Sequence, residues 1–263
     1  MRIALSQMCS TDDPAANLEL IRAGVREAAE VGARVAVFPE AAMVRFGVPL
    51  APVAEPLDGP WATAVRAIAA EAGVVVVAGM FTPAPDGRVR NVLLATGEGV
   101  EAEYRKIHVF DAFGYRESDS VEPGEAPVSI EVDGVRIGLA TCYDVRFPEL
   151  FRRLGAEGAV ATVVCASWGA GEGKAEQWRL LTRARALDST SWILACGQAD
   201  PAAVGEEVTG PAPRGIGHSA VITPMGRTAE ELGAAPGLLV ADIDPAAALA
   251  ARDTVPVLVN GRL

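Results

Sequence analysis

Histidine and cysteine are scarce in this 263-residue chain, with two of the first and four of the second. The cysteines, Cys9, Cys142, Cys165 and Cys196, show no Cys-x-x-Cys spacing, and neither histidine lies near a second ligand. The usual zinc arrangements are therefore excluded, and no metal is expected. Positive charge is also short. Twenty-three basic residues face 34 acidic ones, giving a formal net charge of −11. Nucleic acid and anionic membranes both need a basic footprint, so neither is expected as a partner. A few local arginines still suffice for a small anionic substrate. No apolar run reaches the length of a membrane span. Met1-Arg2-Ile3-Ala4-Leu5 enters a strand-like segment directly, without a signal-peptide pattern. The cysteine usage fits a reducing cytoplasm, the expected location. No linker, low-complexity stretch or long charge run divides the chain, and half of its residues are hydrophobic. One domain over residues 1–263 is expected.

What is present is an alternation of strands and helices. Residues 2–7 and 35–38 read as buried strands. Residues 17–32 carry Leu18, Ile21, Val25 and Ala28 at helical spacing, and 61–72 repeat that period with Trp61, Val65, Ile68 and Ala69. Residues 74–78 form another strand, and 91–96 with 100–104 a hairpin around Gly97 and Gly99. The order then recurs. Arg2-Ile3-Ala4-Leu5 matches Arg136-Ile137-Gly138-Leu139, residues 35–40 parallel 161–166, and the helix at Trp61 parallels the helix at Trp178. Each half reads as strand, helix, strand, helix, strand, hairpin. Two such pseudo-duplicated halves predict an α/β fold of two mixed sheets with helices outside. Residues 199–217 and 111–124 are the long loops.

Three reactive groups lie just beyond strand ends. Glu40 follows residues 35–38, Lys106 follows the second hairpin strand, and Cys142 follows residues 135–141. Open α/β sheets place their sites outside strand carboxyl ends. A thiol needs a nearby base or cation to ionise near neutrality. Glu40 supplies the base, and Lys106 favours a thiolate and then an oxyanion. Pro148 marks a helix start, so Cys142 sits on a strand-to-helix turn where the Tyr143 N–H is free to face an oxyanion. Each residue also has a plainer role: a buried thiol, a turn carboxylate, a solvated lysine, an Asp144–Arg146 ion pair, a structural His218. Cys165 and Cys196, inside apolar runs, read as inert buried thiols.

In this order the segments Val35-Ala36-Val37-Phe38-Pro39-Glu40, Tyr104-Arg105-Lys106-Ile107-His108 and Thr141-Cys142-Tyr143-Asp144-Val145-Arg146-Phe147-Pro148-Glu149 resemble the glutamate, lysine and cysteine motifs of the nitrilase superfamily of carbon–nitrogen hydrolases. The resemblance covers essentially the whole chain. It implies an αββα layer sandwich, a Glu40–Lys106–Cys142 triad, no cofactor, and a homodimer or higher homo-oligomer. It adds Glu117, in Tyr115-Arg116-Glu117-Ser118, as a second glutamate orienting Lys106. Cys-Tyr-Asp, where nitrile-cleaving relatives have Cys-Trp-Glu, implies an amidase for small carboxylated amides, cleaved through a cysteine thioester. The alternatives are an N-carbamoyl amine or ureido hydrolase, or an inactive binding member. Substrate-binding candidates are Tyr143, Arg146, Ser167 and Trp168. Arg179 and Arg183 are further carboxylate-binding candidates. Cys165-Ala166-Ser167-Trp168-Gly169 departs from the Pro-Ser-Ala-Phe-like pocket wall of amidase relatives, which implies a differently shaped pocket.

Overall fold

The computed structural model describes residues 1–208 and 210–262. The first half runs β1 (Arg2–Gln7), α1 (Pro14–Glu30), β2 (Val35–Val37), α2 (Pro60–Ala72), β3 (Val75–Pro83), β4 (Val89–Gly97) and β5 (Val100–Arg105). A small hairpin, β6 (Asp111–Ala112) and β7 (Tyr115–Arg116), precedes β8 (Val128–Val132). The second half runs β9 (Val135–Thr141), α3 (Pro148–Ala156), β10 (Ala161–Ala166), α4 (Lys174–Ser189), β11 (Trp192–Gly197), β12 (Ala220–Ile222) and β13 (Thr228–Glu231). Then come β14 (Gly237–Asp242), α5 (Pro245–Thr254) and α6 (Val257–Asn260).

The two large sheets have the orders β14-β1-β2-β3-β4-β5 and β8-β9-β10-β11-β12-β13. In both, the three strands at positions two to four are parallel and their flanking neighbours antiparallel. The internal repeat is thus a repeat of whole sheets. β14 returns to lie beside β1, in register from Arg2↔Asp242 to Gln7↔Gly237. There it fills the place that β8 fills beside β9.

Strand alternation builds the layers. Ile3, Leu5, Val35, Val37, Val75 and Val77 of the first sheet share one core with Leu139, Val163, Cys165, Leu194 and Cys196 of the second. The intervening Ala4, Ala36, Val76 and Ala78 turn outward onto Ile21, Val25, Trp61 and Val65 of α1 and α2. Ala140, Val164, Ala166 and Ala195 likewise meet Phe151, Leu154 and Trp178 of α3 and α4. The result is an αββα sandwich. Each fully buried valine or leucine in these layers stabilises it by about 1.5–3 kcal/mol.

Element ends depart from the sequence pattern for local reasons. α1 begins at Pro14 because the Asp13 carboxylate accepts the Ala15 N–H at 2.9 Å, capping the helix ahead of its apolar stripe. β3 continues past Ala78 to Pro83, since Gly79 through Thr82 stay paired with β4. Gly79 is required there for room: a β-carbon on it would stand 2.7 Å from the Ala41 nitrogen and 2.7 Å from the Pro39 oxygen.

Candidate active site

Strand ends from both sheets meet at one place. Glu40 follows β2, Lys106 follows β5, Cys142 follows β9 and Ser167 follows β10. The Lys106 Nζ donates to Glu40 Oε1 at 3.0 Å and to the two carboxylate oxygens of Glu117 at 3.1 and 2.9 Å. All three side chains are buried. Glu40 is held from three directions, since Asn91 Nδ2 donates to Oε1 at 2.8 Å and the Ser167 N–H donates to Oε2 at 2.9 Å. Glu117 is fixed by the Phe110 N–H. Burial opposes the Lys106 charge, but Glu117 and Glu40 more than offset it, holding the ammonium well above the usual lysine range. A buried cation between two carboxylates remains charged while the fold lasts.

The thiol of Cys142 is poised differently. Burial and the nearby Glu40 carboxylate push it well above the ordinary cysteine range, with Lys106 acting in the other direction. The resting group is therefore a neutral thiol beside a carboxylate, 3.8 Å from the Ser167 carbonyl oxygen. Cys142 has φ +46° and Ala41, next to Glu40, has φ +58°. Left-handed backbone at non-glycine residues costs energy and persists where the surroundings impose it. Around Cys142 the constraint is Asp144, which is fully buried. It accepts from the Tyr104 hydroxyl at 2.6 Å, the Thr141 N–H at 2.8 Å and the His108 N–H at 3.0 Å, and lies 2.7 Å from His108 Nδ1. Tyr104 and His108 flank Lys106 in sequence, so Asp144 ties the lysine segment to the cysteine turn. The Asp144–Arg146 ion pair considered from sequence does not form. Arg146 donates instead to Gln177 Oε1 at 2.7 Å and lies over the Trp168 ring, 5.2 Å from its centroid.

Tyr143, Arg146 and Trp168 gather on the cysteine side. Tyr143 packs edge-on against Phe110 and Phe147, with ring centroids 5.0 and 5.4 Å apart. The Trp168 indole is occupied by the Lys174 carbonyl at 3.0 Å, which leaves its ring as an apolar wall. Ser167 turns its hydroxyl away to the Pro213 carbonyl at 2.8 Å, so its main chain, not its side chain, faces the site. Arg179 and Arg183 are elsewhere. Arg179 bonds Glu231 at 2.8 Å and Arg183 bonds the Gly226 carbonyl at 2.8 Å, both bracing α4 against the β12–β13 hairpin. Arg179 also lies 3.0 Å from His218 Nδ1, which places His218 in the same brace. Cys165 and Cys196 are buried side by side in the core. Asn91, His108 and Lys174 were not singled out from sequence, and Asp144 was read only as a partner for Arg146. The signal for Asn91 was a polar residue inside an apolar strand. That for Asp144 was its place two residues after the cysteine.

This geometry stands beside several known proteins. The pattern of the carbon-nitrogen hydrolase family matches residues 2–253. The chain belongs to that family. A hydrolase of Mycobacterium tuberculosis is 56% identical over 266 residues, covering 99% of this chain and 95% of that one. The deaminated glutathione amidase of Escherichia coli O157:H7 is 32% identical, covering 100% and 97%. In three dimensions the chain is similar, with TM-score 0.78 and 28% identity over 97% of this chain and 98% of the other, to an amidase of Nesterenkonia. That amidase is a glutamate-to-glutamine variant whose active-site cysteine has taken up acrylamide by Michael addition. As a carbon–nitrogen hydrolase of the nitrilase superfamily, the chain has relatives that are amidases. Among the described residues, no group of three or more His, Cys, Asp or Glu side chains is arranged to hold a metal ion, and no helix is long and apolar enough to cross a membrane.

Proposed function

We propose that the whole chain acts as a single amidase domain, cleaving a small amide through a thioester on Cys142. The observation that carries this is the buried Glu40–Lys106–Glu117 cluster, with Cys142 beside it at the end of β9. A neutral thiol calls for a base that takes its proton as it attacks, and Glu40 has that position. The Cys142 sulfur bonds to the amide carbonyl carbon while its proton passes to Glu40. Lys106 and the Tyr143 N–H, in the first turn after β9, hold the oxygen that becomes negative. The intermediate collapses, the C–N bond breaks, and Glu40 returns the proton to the departing amine or ammonia. Glu40 next takes a proton from water. The hydroxide adds to the thioester, and the thiol leaves with that proton as the acid is released. Glu117 keeps Lys106 aimed throughout. Every step uses side chains, and no cofactor enters the scheme. Arg146 suits a carboxylate on the substrate, because its guanidinium fork already lines the cysteine side of the site.

Ammonia release tests the proposal on a panel of 2-oxo acid amides, aliphatic amides and N-carbamoyl amines. Ammonia without carbon dioxide, abolished by Cys142→Ala, is the expected result. Carbon dioxide from carbamoyl compounds alone would assign a ureido hydrolase instead. No release from any compound, with unaltered ligand binding by Cys142→Ala, would assign a binding role.

Free thiols at Cys9, Cys142, Cys165 and Cys196 suit a reducing cytoplasm. For assembly we propose a homodimer through the α4 face, where Leu180, Leu187 and Met225 remain exposed.

A further inference from the structure

Lysine is almost absent from this chain. Of its 23 basic residues only Lys106 and Lys174 are lysines, and the rest are arginines. Lys106 sits in the carboxylate cluster. Lys174, at the start of α4, stands at the same site from the other side. Its carbonyl accepts the Trp168 indole N–H at 3.0 Å, and Trp168 in turn carries the Arg146 guanidinium at 5.2 Å from its ring centroid. The Lys174 ammonium lies 4.1 Å from the ring centroid of Phe113, at the tip of the β6–β7 hairpin. Phe113 is 79% exposed there, and its ring stacks towards Phe110, which itself packs on Tyr143 beside the cysteine.

The two cations have no counter-ion. Among the described residues neither Arg146 nor Lys174 forms an ion pair with a carboxylate, whereas Arg2, Arg34, Arg66, Arg90 and Arg179 each hold one. Other arginines, such as Arg152 and Arg183, also lack a carboxylate partner but bond to main-chain carbonyls, whereas Arg146 and Lys174 stand together beside the cysteine. Burial and the charge of Arg146 hold the Lys174 ammonium below the usual lysine range, while Cys142 is near enough to act on it in the opposite sense. The Arg146 Nε is buried without a partner. Two like charges on one aromatic wall repel each other until an anion lies between them. Arginine then offers a planar fork, and lysine a rotatable point charge on a flexible stem.

We propose that Arg146 and Lys174 form a carboxylate subsite beside Cys142, with Lys174 selecting amides whose acyl chain ends in a carboxylate. This rests on the amidase assignment of Cys142. The Phe113 ring holds the ammonium by a cation–π contact, which gives way to a charge-assisted hydrogen bond when the carboxylate arrives.

Succinamate and butyramide test this, being amides of equal chain length that differ in the terminal carboxylate. Lys174→Met keeps the aliphatic stem against Phe113 and removes the charge. The ratio of kcat/KM for succinamate to that for butyramide is expected to fall about tenfold in Lys174→Met, mainly through KM. Lys174→Glu is expected to lower it further, and Lys174→Arg to restore most of it. An unchanged ratio in Lys174→Met and Lys174→Glu overturns the subsite, even if both rates drop. If the unaltered protein hydrolyses neither amide, ammonia release from the wider amide panel decides the amidase assignment on its own. Calorimetry of succinate on Cys142→Ala then decides the subsite: binding about tenfold weaker on adding Lys174→Met supports it, and equal binding overturns it.

Discussion

At the scale of single residues, the site works by opposing electrostatics around one carboxylate. Glu40 stabilises the Lys106 cation and raises the Cys142 thiol at the same time. Glu40→Gln therefore separates two quantities that normally move together. Amide hydrolysis is expected to fall by about two to four orders of magnitude, the usual worth of a general acid–base group. Alkylation of Cys142 by iodoacetamide moves the opposite way. With the carboxylate gone its raising effect is lost, the thiol ionises at lower pH, and the alkylation profile shifts towards neutrality. A pH series of alkylation rates by mass spectrometry checks this, and a profile shifted to higher pH contradicts it. Asp144 is the other single residue on which the site depends. Asp144→Ala leaves the Tyr104 hydroxyl and the His108 N–H without an acceptor in a buried position, so a stability loss of about 3 kcal/mol is expected in denaturant titration.

At the scale of elements, the site depends on how closely neighbouring strand ends approach. Gly79 on β3 lies under the backbone of Pro39, Glu40 and Ala41, with no space for a β-carbon. Gly79→Ala is expected to destabilise the protein by about 1–3 kcal/mol, the usual range for overpacking, and to lower kcat by displacing Glu40. Thermal melts with single-turnover rates check both. Elements also explain what the sequence made legible. Glu40, Lys106 and Cys142 were readable because each follows its own strand and because their three segments resemble, in order, the motifs of the nitrilase superfamily. Continuous apolar runs were equally readable, so the strands holding Val35, Val37, Val163 and Cys165 were placed in the interior, though not which face each residue takes. Asn91 was not, because its role arises from the β3–β4 pairing that sets it opposite Phe81, a contact no local pattern records. Arg179 and Arg183 share a helix with Trp178, yet their partners lie on the distant β12–β13 hairpin. Lys174 was missed for a similar reason: its neighbours Phe113 and Trp168 belong to two separate loops.

At the scale of the whole molecule, two copies of one six-stranded layer face each other, and β14 completes the first copy. Its position was hidden in the sequence, because β1 and β14 pair across almost the full chain length. The outer surface of α4 bears on assembly, since Leu180 and Leu187 are both exposed there, Leu180 to 67%. If that face joins two copies, Leu180→Asp with Leu187→Asp shifts the sedimentation coefficient from dimer to monomer. A protein already monomeric at micromolar concentration contradicts the proposed assembly.

All scales meet in one claim, that a covalent acyl group resides on Cys142 during turnover. Its most direct measurement is mass spectrometry of the protein quenched in acid during steady-state turnover of an amide, with hydroxylamine added in a parallel reaction. An added acyl mass mapped to Cys142 is expected, with its disappearance on hydroxylamine treatment as the hydroxamate forms, and its absence in Cys142→Ala. Amide turnover with no acyl mass at Cys142 and no hydroxamate would contradict that claim.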